Sequence, residues 1–172
     1  MNVAVGNDTL RGGDGLDLLV GDYGSAQVCH GGSLAAGSDR LEGGAGDDKL
    51  VGDVGVLDTA YGRGYFVAGD DVLVGGPGND QLYGDVLQLL NGSFQAGHDT
   101  FVFAPGSGQD VIHDFQQGLD RIDVTAFGFA GMQDLTVTVD PAANHTVIDF
   151  GTGDTVTLEG VTAPLNPSDF VF

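Results

Sequence analysis

The sequence predicts an all-β protein: a parallel β-roll with hairpin insertions on one edge, followed by a C-terminal antiparallel β cap. Three observations carry that reading. A Gly-x-Asp triplet, with a large apolar residue two places after the Asp, recurs along the chain; eight of its acids, Asp8, Asp17, Asp39, Asp48, Asp71, Asp80, Asp99 and Asp110, read as successive turns. Glycine supplies 31 of the 172 residues, against an ordinary share of about 7%. Of the 25 acidic residues 23 are Asp, and only Glu42 and Glu159 are Glu. Asp favours turns and oxygen-rich cation sites, where Glu would favour helices.

The apolar partners of the eight acids are Leu10, Leu19, Leu41, Leu50, Leu73, Leu82, Phe101 and Ile112. Three stretches complete a nine-residue unit: Gly12 to Val20, Gly43 to Val51 and Gly75 to Tyr83. In each unit the glycines supply positive-φ turn positions, and the sixth-position Asp is short enough to reach a common centre. The last three residues make a very short strand with one side chain facing inward. Such strands stack in parallel about 4.8 Å apart, and their inward side chains form a thin core. Each unit is half a coil, so successive turns alternate between two edges. A cation fits between neighbouring turns of one edge, held by carboxylates and carbonyls.

The spacings between the eight acids run 9, 22, 9, 23, 9, 19 and 11. The three longest intervals therefore open from one edge only. That inserted edge carries Asp8, Asp39, Asp71 and Asp99; the compact edge carries Asp17, Asp48, Asp80 and Asp110. The insertions, at 23–36, 54–68 and 86–96, begin alike at Gly21-Asp22, Gly52-Asp53 and Gly84-Asp85. Each has a central turn signal, Gly31-Gly32, Gly62-Arg63-Gly64 or Asn91-Gly92, with apolar residues such as Leu87, Leu89, Leu90 and Phe94 flanking the last. They read as three hairpins stacked side by side.

Composition excludes several functions. A net charge of −20 leaves nothing to replace counterions on a nucleic-acid backbone. No apolar run approaches the roughly 18 residues of a membrane span. The segment Met1 to Gly6 lacks the basic and apolar parts of a secretory signal. Cys29 is the single cysteine, so neither an intrachain disulfide nor a cysteine zinc site is available. Hydrophobic residues make up 41% of the chain, which suits folding once the acids are neutralised. Neither HExxH nor GxSxG occurs; Ser107 lies between Gly106 and Gly108 without that spacing. His30, His98, His113 and His145 are scattered, with His98 expected as a surface turn residue, and Cys29-His30 reads as a turn-adjacent strand rather than a metal site. The chain is not expected to be an enzyme.

The units resemble the G-G-x-G-x-D-x-U-x repeat of the repeats-in-toxin (RTX) family of haemolysin-type calcium-binding proteins, over about residues 4 to 124. The remainder is similar to the segment that follows the repeats in serralysin-type proteases and in alginate epimerase R-modules. That likeness rests on Asp99-Thr100-Phe101-Val102-Phe103, on Asp110 to Phe115 and on Gly118 to Val124. The ending Pro167-Ser168-Asp169-Phe170-Val171-Phe172 resembles the acidic-then-apolar terminus of type I secretion substrates. From the residues themselves, 101–172 reads as antiparallel β, with strands at 101–103, 111–115, 121–124, 135–139, 145–150, 154–158 and 170–172. Residues 1–124 are thus expected to form the roll. Residues 125–172 are expected to cap its open end, and the resemblance places an export address there.

The resemblance implies calcium ligands. The carbonyls of repeat positions one and three join the sixth-position Asp of one turn, and those of positions two and four join the Asp of the next. On the compact edge this sets Gly12, Asp14 and Asp17 against Gly44, Gly46 and Asp48, then Gly43, Ala45 and Asp48 against Gly76, Gly78 and Asp80. Four turns on each edge allow about six ions at most. The inserted edge has no uninterrupted six-residue turn. Asp22, Asp53 and Asp85 either add ligands or start turns, and Asp114, Asp120 and Asp123 are candidates for a further ion at the junction with the cap. The eight turn acids could in principle be turn formers only, but an uncompensated stack of charges one coil apart would repel strongly.

The implied function is calcium binding coupled to folding, outside the cell, after export by the type I secretion machinery. The chain is expected to be the C-terminal part of a larger secreted protein. The alternative is a calcium-dependent recognition module that binds a polysaccharide or cell surface through the insertions, with Tyr61, Tyr65, Phe66 and Phe94 as candidate contacts.

Overall fold

A computed structural model describes residues 5–28, 33–59 and 65–172. Two sheets face each other across the roll. One contains β1 (Thr9–Asp14), β5 (Arg40–Ala45), β9 (Val72–Val74), β12 (Thr100–Val102), β14 (Arg121–Asp123) and β18 (Phe170–Val171), in that spatial order. The other runs β2 (Leu18–Val20), β6 (Lys49–Val51), β10 (Gln81–Tyr83), β13 (Gln109–Ile112), β17 (Asp154–Glu159), β16 (His145–Gly151), β15 (Thr136–Asp140). Every pair in the first sheet is parallel, as is every pair from β2 to β17 in the second.

The strands are short because only one side chain of each x-U-x triplet points inward. In the first sheet, register aligns Leu10, Leu41, Leu73, Phe101, Ile122 and Phe170. In the second it aligns Leu19, Leu50, Leu82, Ile112 and Leu158. From the second coil onward these rows are buried in one core, whereas Leu10 and Leu19 of the first coil are only partly covered. A fully buried Leu, Ile or Phe contributes about 1.5–3 kcal/mol. The core is therefore a stack of small increments, one pair for each coil.

The insertions do widen one side of the roll, but among the described residues their limbs do not pair with each other as hairpins. Their first limbs, β3 (Ala26–Gln27), β7 (Val54–Asp58) and β11 (Val86–Asn91), form a parallel sheet in the order β11-β7-β3. The second limbs, β4 (Ser33–Ala35) and β8 (Tyr65–Val67), pair in parallel, and a Val67–Gln95 bridge extends the row. Each limb thus bonds to the same limb of the next insertion rather than to its own partner. The two sheets enclose a second core of Val28, Val54, Leu57, Phe66, Ala68 and Val86. The coil repeat explains the difference: it sets insertions at strand spacing already, so parallel pairing between them satisfies the backbone and leaves apolar faces to meet. We call these units arms. The turn signals Gly31-Gly32 and Gly62-Arg63-Gly64 lie outside the described residues.

Residues 101–124 also depart from the antiparallel expectation, because β12, β13 and β14 continue the parallel sheets. Among the described residues, antiparallel pairing is confined to β15, β16 and β17. Beyond the roll, β17 and β18 each add a last parallel rung. Phe103, Phe127 and Phe150 close over the core end, with Phe150 centred 5.7 Å from Phe103 and 5.1 Å from Phe127. Three one-turn helices, at Thr125–Phe127, Met132–Asp134 and Pro167–Asp169, complete the described structure. No helix among the described residues is long and apolar enough to cross a membrane.

Two separate cores predict separable stability. Phe66→Ala removes the largest fully buried side chain of the arm core and is expected to cost about 3–5 kcal/mol there. Amide exchange should accelerate at Val67 and Ala68 and stay unchanged at Leu50 and Leu82. Equal acceleration in the roll would show that the two cores unfold as one.

Candidate cation sites along the turn ladders

The sixth-position aspartates form two ladders with one hydrogen-bond rule. In each, Oδ1 of one Asp accepts the backbone N–H of the corresponding Asp in the preceding coil. On the compact edge Asp17 donates to Asp48 (2.8 Å), Asp48 to Asp80 (2.8 Å) and Asp80 to Asp110 (2.9 Å). On the inserted edge Asp8 donates to Asp39 (2.8 Å), Asp39 to Asp71 (2.6 Å) and Asp71 to Asp99 (2.8 Å). All eight predicted acids are thus brought into line, although Asp8 itself is exposed.

The second oxygen behaves differently. Oδ2 of Asp17, Asp48 and Asp80, and of Asp39, Asp71 and Asp99, is buried and has no hydrogen-bond partner. Each faces a glycine of its own turn: Gly12, Gly43 and Gly75 on one edge, Gly21, Gly52 and Gly84 on the other. A Cβ at Gly12 would stand 2.5 Å from the Gly43 carbonyl oxygen and 2.6 Å from Asp17 Oδ2; one at Gly43 would stand 2.5 Å from Asp48 Oδ2 and 2.6 Å from the Gly75 carbonyl. These glycines leave open a cradle between an anionic oxygen and the next turn's carbonyl.

The backbone carbonyls divide differently from the pattern the resemblance implied: those of repeat positions two and four face the following coil and those of positions one and three the preceding one, so the first compact-edge gap holds the carbonyls of Gly13, Gly15, Gly43 and Ala45. The carbonyls of Gly44 and Gly46 press against Gly76 and Gly78, as those of Gly13 and Gly15 press against Gly44 and Gly46. Gly44 and Gly76 stand at φ +116° and +105°, where a β-carbon would be strained. The Ala45 carbonyl accepts a 2.7 Å bond from the Gly15 N–H. The Asp14 side chain is exposed. Among the described residues no group of three or more His, Cys, Asp or Glu side chains gathers as a metal cluster. A cation here would therefore take most of its oxygens from the backbone.

The chain matches the family described as Peptidase M10 serralysin C terminal over residues 3–158. It belongs to that family. In fold it is similar to the AlgE6R2 subunit of the Azotobacter vinelandii mannuronan C5-epimerase, at 24% identity and a TM-score of 0.54, with 96% of this chain and 92% of that one covered. The AlgE6R3 subunit of the same enzyme is 31% identical with a TM-score of 0.45, covering 84% of this chain and 81% of its own. No curated protein is significantly similar. Membership in the serralysin C-terminal family makes the chain a β-roll module of the calcium-binding repeat type, and points to a repeat module rather than a catalytic one.

The donor set fits calcium, a hard cation that takes 6–8 oxygens in flexible geometry. Burial beside like charges explains why these acids need one. Burial raises the Asp39 and Asp80 carboxyls to about 6, although each accepts a backbone bond. It raises Asp110 to about 7 and, with the Asp85 charge adding to it, Asp99 to about 10. Asp71 and Asp53 are pushed up together, by burial first and then by like charges, Asp53 by that of Asp71.

The structure also shows what sequence reading missed. Asp120 is a further rung of the inserted edge, its Oδ1 accepting the Asp99 N–H at 3.1 Å. Its signal was present, since Gly118-Leu119-Asp120-Arg121-Ile122 repeats the same triplet and apolar spacing. Asp120 Oδ2 accepts the Gln116 N–H, and Asp114 accepts those of Gly84 and Asp85. Asp123 bonds Thr125 locally. These three acids are held by protein donors rather than opened toward a common ion. Asp154 ends the compact side, accepting the Gly106 and Gly108 N–H groups at 2.9 and 3.0 Å.

Of the aromatic residues singled out in the insertions, Phe66 is fully buried and meets Phe94 edge-on at 6.2 Å. Tyr65 is exposed and donates to Gln95 Oε1 at 2.6 Å. Tyr61, Cys29 and His30 lie outside the described residues. His98 is exposed on its turn; His113 stacks on Tyr83 at 4.3 Å with Nδ1 2.8 Å from Glu159 Oε2.

Two predictions follow from this geometry. Gly43→Ala puts a methyl group against Asp48 Oδ2 and the Gly75 carbonyl. It should destabilise the folded chain by about 1–3 kcal/mol and weaken calcium binding, as read by calorimetry; binding equal to the parent chain would show the cradle is not a site. The second concerns pH. These carboxyls have folded-state pKa values above the unfolded value of about 3.9, so in calcium-depleted buffer their protonation favours the fold. That contribution is complete below pH ~4 and is lost on alkalinisation through about 6 for Asp39 and Asp80, and about 7 for Asp110. The calcium-free chain should gain β circular dichroism on going from pH 8 to pH 4.5; a flat profile would contradict it.

Proposed function

We propose that this chain is an extracellular β-roll module whose folding is driven by calcium, and that it forms the C-terminal part of a larger protein exported by type I secretion. The observation that supports this is the row of buried carboxylate oxygens without partners in both ladders, in a chain of net charge −20. Taking an unpaired anion out of water is unfavourable unless a proton or a cation meets it. A cation would take the place of the protons that burial otherwise draws onto these acids, and the six unpartnered ladder oxygens equal the ceiling of about six ions drawn from the repeat count.

The mechanism is linkage. Ions that bind only the folded state stabilise it by RT ln(1 + [L]/Kd) each, about 2.7 kcal/mol at a hundredfold excess over Kd. Without ions, the thin core must hold the stacked acids together alone. Where calcium is scarce the chain stays unfolded and can be threaded through an export channel; where calcium is abundant it folds. The terminal Asp169-Phe170-Val171-Phe172 segment is the proposed export address, and its folded position as the last rung of the first sheet means that the address is sequestered once folding is complete.

Far-ultraviolet circular dichroism during a calcium titration of chelator-treated protein tests the proposal. A cooperative coil-to-β transition is expected with calcium and not with equal magnesium, which demands smaller, octahedral sites. An unchanged β spectrum before and after calcium addition would refute calcium-driven folding.

A further inference from the structure

The necks of the arms hold a second row of acids outside the two ladders. Each inserted turn keeps repeat positions one and two, gives position three over to the arm, and resumes at position four. Position two is Asp22, Asp53 and Asp85; position four is Gly37, Gly69 and Gly97. The acid accepts the glycine N–H across the neck: Gly37 to Asp22 Oδ2 at 2.7 Å, Gly69 to Asp53 Oδ1 at 3.0 Å and Oδ2 at 3.2 Å, Gly97 to Asp85 Oδ1 at 2.8 Å. These acids are 5%, 0% and 1% exposed. Closing a neck requires one acceptor oxygen and no charge, so an amide would serve as well. Burying a carboxylate for that task alone is unfavourable.

A second observation points to a ligand. Asp22 Oδ1 is buried without a partner, and so is Oδ2 of Asp39 on the same turn. The space beside Asp39 Oδ2 is a cradle: a Cβ at Gly21 would fall on that oxygen and on the Gly52 carbonyl. One coil on, a Cβ at Gly52 would fall on Asp71 Oδ2 and the Gly84 carbonyl. The Asp22 charge acts on Asp39, and that of Asp71 on Asp53, so each neck acid is electrostatically joined to its ladder acid.

We infer that Asp22 is a cation ligand that replaces the position-three carbonyl lost to the arm, giving its inserted-edge gap one more carboxylate than a compact-edge gap. This rests on the calcium-binding reading above and extends it to a residue that the repeat pattern does not assign. Asp22 then has two tasks, holding Gly37 with Oδ2 and the ion with Oδ1. Both oxygens of Asp53 are taken by the Gly69 N–H, so the second neck is closed by the protein alone. At the first neck, ion binding and arm closure become one event.

The test uses Asp22→Asn in the full chain, with calcium alone as the probe. Asparagine keeps an acceptor for the Gly37 N–H and removes the charge. Calorimetric titration should show at least tenfold weaker binding at about one site, and calcium should no longer slow exchange of the Gly37 amide. A variant that binds calcium within twofold of the parent chain at every site would overturn the inference and leave calcium-driven folding intact. A parent chain that binds no calcium would overturn both. In the parent chain alone, a Gly37 amide resonance that does not move on calcium addition would also overturn the inference, with no variant required.

Discussion

The structure depends on how one carboxylate is divided. From the second coil on, Oδ1 of each ladder Asp accepts an N–H from the coil before it, and Oδ2 of Asp17, Asp48, Asp39 and Asp71 shares a glycine-lined gap with a carbonyl of the coil after it. The first contact fixes the coil spacing, because a backbone donor at 2.6–2.9 Å leaves no freedom in register. The second leaves a buried negative charge with no protein partner. The stack is therefore tied together by groups that repel one another. Leucine rows two strands apart give cohesion, but the core is only one pair of side chains thick for each coil.

The arms repeat the same solution one level out. A hairpin would have been self-contained, its limbs bonded to each other. Instead each limb relies on its counterpart in the next coil, so an arm has no stable form outside the stack. Its core meets that requirement: Phe66 and Leu57 are fully buried, yet they belong to different limbs of one arm. Arm order is thus inherited from coil order, and coil order from the ladders. A ligand acting on the turns reaches the arms without any further device.

Much of this was legible in the sequence because the period is short and strict. The acids from Asp8 to Asp110 fall on two straight ladders, and the apolar partners from Leu10 to Ile112 fall in two registered rows, as a half-coil repeat requires. Limb pairing was not legible. An apolar run, a turn signal and a second apolar run describe a hairpin and one turn of a narrow solenoid equally well, and only the register of neighbouring insertions separates them. The parallel pairing of β12 to β14 was obscured by the loss of the double glycine, although the Gly-x-Asp triplet persists as far as Asp120. The neck role of Asp22 depends on Gly37, which lies an arm's length away in sequence, so no local pattern announces it.

The two ends of the stack differ in a way that gives the fold a direction. At the cap end every rung is finished: Asp120 and Asp154 have both oxygens held by donors, and Phe103, Phe127 and Phe150 cover the last core pair. At the first coil, Leu10 and Leu19 are only partly covered, and Leu16 and Leu18 are 80% and 63% exposed. In a repeat stack, stability is a sum of unit terms and nearest-neighbour interfaces, so the unit with one neighbour is the weakest. The cap supplies the missing neighbour at one end, in the form of antiparallel strands that need no further coil. Order should accordingly begin at the cap, where the acids already have protein donors. It should then spread toward the first coil as the gaps fill, each loaded gap presenting a complete rung to the next.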